Sequence, residues 1–181
     1  EGAVTEDGRG PSIWDTFAHT PGKIENGDTG DIACDHYHRV PQDIDLMREA
    51  GVTVISVAIF AWASIEPREG EYHWDWLDAT MDRLHEAGIR VSLATATASP
   101  PPWLTRKHPE ILPRTADGTV LSPGARQAYS VSSPIWREYA VRMAVAVAQR
   151  YATHPALALW HVDNEIGCHV PHDFSDNAAA A

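Results

Sequence analysis

The sequence is poor in several features that mark particular classes of protein. Only two of its 181 residues are cysteine, Cys34 and Cys168, which is too few for a disulfide scaffold and lacks any paired-cysteine zinc spacing. No apolar run reaches the length of about 18 residues that a membrane-spanning helix needs. Basic residues are also scarce, because 14 Lys and Arg face 25 Asp and Glu. The net charge of −11 therefore disfavours binding to nucleic acids and to anionic membranes.

The first residues of the chain also lack the basic and apolar segments of a secretory signal peptide. Together with the small number of cysteines, this predicts a cytoplasmic protein whose thiols are reduced.

What the sequence does contain is a repeated pattern of helix, turn and strand. Apolar side chains at helical spacing over 44–50, then Gly51, then an apolar and β-branched run at 52–60 predict a helix, a tight turn and a buried strand. The same order returns at 77–95. It returns again, after a long proline-rich loop, at 133–162. The chain therefore reads as three helix and strand units.

Continuous apolar strands that alternate with helices predict parallel pairing, with both faces of the sheet covered. A doubly wound sheet and a (β/α) barrel both fit this pattern. No Gly-x-Gly-x-x-Gly or Walker-type loop follows a strand, which favours the barrel. A complete barrel has eight strands and roughly 250 residues. We therefore predict an α/β fold, a partial (β/α)8 TIM barrel that forms a single catalytic domain over 1–181.

In such barrels the residues that act on substrate lie at the carboxyl ends of the strands. Among the three strand ends, only the third carries a carboxylate, in the run 161–165. Glu165 is the candidate catalytic residue, because a carboxyl group between apolar walls has a raised pKa and can protonate a glycosidic oxygen. The neighbouring amide of Asn164 can hold a sugar hydroxyl. The alternative is that both residues simply begin a solvated loop.

Two other interpretations concern a metal and an arginine. Arg126, in the long loop after the second strand, can reach the same face and bind an oxygen-rich ligand, although on the residues alone an ordinary surface arginine is the preferred explanation. A divalent metal is the other interpretation, but the spacing contains no His-Glu-x-x-His motif and does not bring the groups to one point. The groups that suggest a metal are His161, Asp163, Glu165, Cys168, His169, His172 and Asp173.

Several longer motifs, in this order, closely resemble glycoside hydrolase family 42, the β-galactosidases. They span about two thirds of the chain and define a family 42-like segment over 45–181. The motifs are Ile59–Ala63, Glu66-Pro67, Thr97–Leu104, His108–Pro113, Ser132–Pro134 and Trp160–Glu165.

The opening of the chain resembles a different family, glycoside hydrolase family 1, the β-glucosidases. The resemblance rests on Asp7–Phe17, Asn26–Asp28 and Ala33–Arg39. We therefore predict a mosaic, with a family 1-like segment over 1–40 and a join within 39–47. Both families belong to one clan of retaining barrel enzymes, so a join in the first barrel helix preserves that helix and the next strand.

The resemblance implies roles for individual residues. Glu165 is the general acid/base at the end of the fourth barrel strand, so the chain holds about the first half of a barrel, truncated after that strand. Asn164 binds the hydroxyl next to the reacting carbon, and Arg126 helps to form the sugar subsite. No metal or cofactor is expected, because the positions that match the four zinc-binding cysteines of the family are Ser130, Asp173, Ser175 and Ala178.

Retaining hydrolysis needs a second carboxylate, about 5 to 5.5 Å from the first. The family's nucleophile comes from the seventh strand, which these residues do not include, and Asp163 and Glu66 are the substitutes on paper. We therefore predict a retaining β-glycosidase chain that carries the acid/base half of a site for terminal β-linked galactose or glucose. The alternatives are a non-catalytic sugar-binding or assembly fragment and, third, a metal-dependent hydrolase. Unpaired strand edges predict a homo-oligomer.

Overall fold

A computed structural model describes residues 4, 6, 17–121, 128–168 and 170–181. The chain divides into two compact units, Glu1–Val52 and Thr53–Ala181. The prediction of a single barrel domain over 1–181, with a family 1-like and a family 42-like segment, stays a prediction.

The first unit is built on helix α1, His36–Glu49, which follows a short 3-10 turn at Glu25–Gly27. The sequence pattern predicts a helix that starts at about Pro41. The helix begins five residues earlier, at His36, and Pro41 lies inside it. Its end was predicted correctly. Gly51 adopts a left-handed φ of 75°, and the Val52 N–H donates to the Met47 carbonyl at 2.9 Å, the cap that a glycine makes possible.

The second unit contains a sheet of three parallel strands, β1 (Val54–Val57), β2 (Arg90–Ala94) and β3 (Leu157–His161), in the order β1-β2-β3. Two long helices connect them, α3 (Asp75–Glu86) between β1 and β2 and α5 (Pro134–Tyr151) between β2 and β3. The loops that follow the strands contain short helices. These are α2 (Trp62–Ile65), α4 (Pro102–Lys107), a 3-10 turn at Pro109–Ile111, and α6 (Asp176–Ala179). The predicted parallel α/β order is confirmed.

The connecting helices pack through apolar stripes. The stripe predicted for α3 is confirmed, since Leu77, Met81 and Leu84 are all buried. For α5 the sequence predicts a stripe of residues 135, 139, 143 and 147, and this prediction is half right. Residues 143 and 147 are buried, but 135 and 139 are only half-buried, because a strict four-residue step drifts around a helix with 3.6 residues per turn. The buried side chains of α5 are Trp136, Ala140, Met143, Val147 and Tyr151.

The prediction that every strand is covered on both faces holds for β2 and is wrong for the outer strands. In β2, Leu93 is fully buried and the next residue, Ala94, which points to the opposite face, is only 1% exposed. In contrast, Leu159 of β3 is 60% exposed, and Val162, immediately after it, is 78% exposed. The physical reason is position in the sheet, since β1 and β3 each have a neighbour on one side only. Within the described ranges, no helix is long and apolar enough to cross a membrane.

Candidate functional site

Two of the three predicted site residues, Asn164 and Glu165, lie in the turn that leaves the carboxyl end of β3. Asp163 and Glu165, on either side of Asn164, both have left-handed backbone angles, with φ of 57° and 46°. This region costs a non-glycine residue about 1–2 kcal/mol. The Cys168 N–H donates to the Glu165 carbonyl at 2.9 Å and closes the turn. Other contacts must therefore hold this unfavourable backbone in place.

Asp163 supplies the strongest of these contacts. Its side chain is buried, and its two carboxylate oxygens accept the Tyr129 hydroxyl at distances of 3.1 and 2.9 Å. Its backbone N–H donates to the Thr95 hydroxyl at 3.0 Å. Thr95 follows β2 directly, and its own N–H donates to the carbonyl of His161, the last residue of β3. The turn is therefore fixed to the end of the neighbouring strand.

Burial controls the ionisation of this pair. Desolvation raises the pKa of Asp163 above its ordinary value, although the Tyr129 hydrogen bond acts in the opposite direction. Desolvation and the nearby Asp163 carboxylate both raise the pKa of Tyr129, so its hydroxyl keeps its proton and donates. The Tyr129 ring stacks on Trp136 of α5, with ring centroids 4.3 Å apart and planes within 8°.

The two predicted site residues of this turn differ in exposure. Asn164 is half-buried, and its side-chain oxygen lies 3.1 Å from the His161 Nε2. Glu165 is exposed. The described residues therefore do not form the apolar walls that were expected around its carboxyl group. What the turn offers is an exposed carboxyl that solvent and a ligand can reach, beside a half-buried amide.

A cavity of about 200 Å³ opens beside this turn. Its lining is mostly apolar, with one carboxylate and one phenol, and it includes Ile166, the residue that follows Glu165. The lining residues are Tyr129, Val131, Ile166, Gly167, Val170, Pro171 and Asp173.

Arg126, the third predicted site residue, lies outside the described residues. The metal interpretation also receives no support from the part of the chain that the structure describes. There, no three His, Cys, Asp or Glu side chains are grouped so that they could hold an ion. His169, one of the groups that suggested a metal, is likewise outside the described residues.

Three of the four positions that match the family's zinc cysteines are joined by hydrogen bonds instead. The Ser175 hydroxyl donates to Asp173 at 2.9 Å and accepts from the Ala178 N–H at 3.4 Å. Asp173 also accepts the backbone N–H groups of Ser175 and Arg114. Burial alone raises the pKa of Asp173, but the Ser130 hydroxyl, together with these hydrogen bonds, outweighs burial and lowers it. The fourth position, Ser130, is buried.

The loop after β1 holds a second carboxylate, Glu66, whose side chain is completely buried. It accepts the Trp62 indole N–H at 2.9 Å, the Gly70 backbone N–H at 2.8 Å and the Arg142 guanidinium of α5. The Glu66 carbonyl accepts the Trp103 indole N–H at 2.8 Å. Both carboxylates considered as substitute nucleophiles, Glu66 and Asp163, are thus buried and hydrogen-bonded to protein groups.

Sequence reasoning missed Tyr129 and Thr95. The one available signal for Tyr129 was its position, three residues after the predicted site residue Arg126. Thr95 gave no signal, because its role depends on the pairing of β2 with β3.

A parallel α/β sheet with a carboxylate in the turn after a strand is the arrangement found in barrel-type glycoside hydrolases. Comparison with known proteins makes the class specific. The model of glycoside hydrolase family 42, described as β-galactosidase, matches residues 35–181, so the chain belongs to this family. The match begins ahead of the join predicted within 39–47.

The chain is 59% identical over 140 residues to a β-galactosidase from an Arthrobacter species, covering 77% of this chain and 20% of the relative. It is 51% identical over 139 residues to the β-galactosidase BbgII of Bifidobacterium bifidum, with the same coverage of 77% and 20%. The crystal structure of a β-galactosidase from the psychrophilic Marinomonas ef1 superimposes with a TM-score of 0.76 at 41% identity, over 79% of this chain and 22% of that one. The chain therefore spans about a fifth of the length of these relatives.

Proposed function

We propose that the chain carries the acid/base half of a retaining β-galactosidase site, with Glu165 as the proton donor. The observation that carries this proposal is the position of Asn164 and Glu165, in the turn after the carboxyl end of β3 and within the matched family residues. The two relatives from Arthrobacter and Bifidobacterium bifidum are β-galactosidases, which supports a terminal β-linked galactose as the substrate. A β-linked glucose is the alternative sugar.

In this proposal β3 is the fourth strand of a barrel whose first half the chain supplies. The exposed Glu165 carboxyl gives its proton to the leaving oxygen, then takes one from the water that releases the sugar. The half-buried Asn164 amide donates to the hydroxyl beside the reacting carbon. Arg126 holds a further sugar oxygen through its guanidinium group.

The nucleophile of the proposed reaction is neither Asp163 nor Glu66, the two carboxylates considered as substitutes. Asp163 is committed to Tyr129 and Thr95, and Glu66 to Trp62, Gly70 and Arg142. Using either as a nucleophile would leave buried donors without an acceptor. We propose that the attacking carboxylate comes from another part of a longer protein, in line with the fifth of the relatives' length that this chain spans.

Hydrolysis of nitrophenyl β-galactoside and β-glucoside, by a protein that contains both this chain and the segment that supplies the attacking carboxylate, tests the proposal. Glu165→Gln keeps the size of the side chain and removes its titration, so turnover should fall by roughly 10²- to 10⁴-fold. Glu86→Gln is the matched control, because Glu86 is an exposed glutamate at the end of α3, which leads into the opposite end of the sheet. Equal turnover by the wild type and Glu165→Gln would remove Glu165 from the mechanism.

A non-catalytic sugar-binding or assembly fragment is the second candidate. The exposed Leu159 and Val162 on the outer strand favour it, because an unpaired strand edge with apolar side chains recruits another chain. Sedimentation of the purified chain tests the homo-oligomer that this surface predicts. Enzyme-like turnover that depends on Glu165 would exclude the non-catalytic candidate.

The comparisons add no evidence for a family 1 resemblance of the opening segment, 1–40. It stays a proposal that rests on the motifs of that segment. A cytoplasmic location is likewise a proposal, which the free thiols of Cys34 and Cys168 support.

A further inference from the structure

The turn that presents Asn164 and Glu165 is held at Asp163, which substrate need not touch. The Asp163 side chain is only 6% exposed and accepts the Tyr129 hydroxyl through both oxygens, at 2.9 and 3.1 Å. Two residues later, Glu165 is exposed. The buried Asp163 and the exposed Glu165 therefore lie on either side of Asn164.

The backbone of this turn needs such an anchor. Asp163 and Glu165 both have left-handed φ angles, which L residues with a side chain leave readily when nothing holds them. The Cys168 N–H bond to the Glu165 carbonyl lies within the turn, so it cannot fix the turn to the sheet. The Tyr129 and Thr95 bonds to Asp163 connect the turn to other elements.

The Tyr129 hydroxyl is itself fixed from outside the loop. Its ring lies flat against Trp136 in the first turn of α5, at 4.3 Å between centroids, and Tyr129 is buried. Ser133 caps that helix by accepting the Trp136 N–H at 3.3 Å. The position of the hydroxyl is therefore set by a long helix.

We propose that Tyr129 is a positioning residue, whose hydroxyl bond to Asp163 fixes the turn that presents Asn164 and Glu165. The catalytic meaning of this inference rests on the proposed function. Its structural content, the coupling of Tyr129 to the turn, can be measured without any activity.

Tyr129→Phe is the decisive variant, because it keeps the ring stacked on Trp136 and removes only the hydroxyl. The matched control is Tyr151→Phe. Tyr151 is also a buried tyrosine of this unit, and its hydroxyl donates to Asp78 at 2.8 Å from the opposite end of α5. Both variants lose one bond from a tyrosine to an aspartate, but only the first loses the bond to the turn.

Amide hydrogen exchange, measured by NMR on the intact 181-residue chain, gives the readout. The probes are the amides of Asp163 and Cys168, which donate to Thr95 and to the Glu165 carbonyl. The reference is the Val91 amide, which donates to Ala156 at the opposite end of the sheet. In Tyr129→Phe we expect exchange at the two probes to rise roughly tenfold relative to the reference. In Tyr151→Phe we expect that ratio to stay unchanged.

Unchanged probe exchange in Tyr129→Phe would overturn the proposal, and so would an equal rise in Tyr151→Phe, which would indicate general loosening. If Tyr129→Phe does not fold, Asp163→Asn and Asp163→Ala replace it. The asparagine still accepts the Tyr129 hydroxyl and should keep exchange slow, whereas the alanine cannot accept it and should speed exchange. Equal exchange in these two variants would also overturn the proposal.

The Glu165→Gln assay separates this inference from the proposed function. Unchanged exchange together with turnover that depends on Glu165 overturns the role of Tyr129 alone. Faster exchange in Tyr129→Phe, without any turnover that depends on Glu165, supports the coupling and overturns the proposed function.

Discussion

Two glutamates that follow strands of the same sheet, Glu66 after β1 and Glu165 after β3, have opposite surroundings. Glu66 is completely buried and accepts bonds from an indole, a backbone amide and a guanidinium group. Glu165 is exposed, in a turn that the neighbouring Asp163 anchors. A buried carboxylate with three donors holds loops together, whereas a reachable one on a fixed turn is available for proton transfer.

The largest expected effect on stability comes from removing the side chain of Glu66, the buried glutamate of the two. Glu66→Ala leaves the Arg142 guanidinium without its buried partner and the Trp62 indole N–H without an acceptor. We expect a loss of about 3–5 kcal/mol in the free energy of unfolding, measured by urea denaturation. Glu165→Ala is the control and should change it by less than about 0.5 kcal/mol. Equal losses in the two variants would contradict the contrast between the two sites.

A double-mutant cycle sharpens the same contrast. Arg142→Met removes the cation, and Glu66→Gln neutralises the carboxylate while keeping its shape. Because each single change leaves its partner poorly satisfied, the double variant should be more stable than the sum of the single losses predicts, by about 1–3 kcal/mol. Additive losses would show that the pair does not act as a unit.

The third prediction concerns Asp163, which is buried like Glu66 and lies in the same turn as Glu165. Desolvation raises its pKa, and the Tyr129 bond opposes this only in part. The folded chain therefore binds this proton more readily than the unfolded chain. Consequently, the Asp163 contribution to the free energy of unfolding falls as pH rises through the window between its unfolded and folded pKa values.

Asp163→Asn removes this contribution and still offers an acceptor to Tyr129. At pH 7 we expect the variant to be at least as stable as the wild type, with a difference below about 1 kcal/mol. Its stability should also fall less than that of the wild type as pH rises above the ordinary aspartate value of 3.8. Urea denaturation of both proteins over a series of pH values measures this, and parallel curves would refute the assignment.

The sequence predicts the features that depend on interactions between residues close together along the chain. The ends of α1 and α3 were predictable, because Gly51 and Gly88, with left-handed φ of 75° and 73°, each follow a segment whose apolar side chains recur at helical spacing. The order of parallel strands followed from their continuous apolar runs. These features depend on neighbours within a few residues.

The anchor of the candidate site was not predictable in the same way. Tyr129 and Asp163 are 34 residues apart, and they meet because β3 pairs with β2 and because the Tyr129 ring stacks on Trp136 of α5. The exposure of Glu165 also depends on which segments surround the turn. The sequence therefore predicted Asn164 and Glu165 as site residues through their motif, and this stays a prediction; it did not predict the hydrogen bonds that hold their turn.

The smallest expected effect tests whether burial, rather than proximity, makes the Glu66 pair strong. Lys107 and Glu69 form an ion pair of 2.7 Å beside it, and Glu69 lies 3.8 Å from the same Arg142 guanidinium. The Lys107 hydrogen bond lowers the pKa of Glu69, yet both side chains remain in contact with solvent. Because water and salt screen such pairs, Lys107→Met should leave the thermal midpoint within the scatter of repeated melts, with and without 1 M salt. A clear, salt-sensitive drop in the midpoint would mean that the whole cluster around Arg142, and not the buried Glu66 alone, holds these loops together.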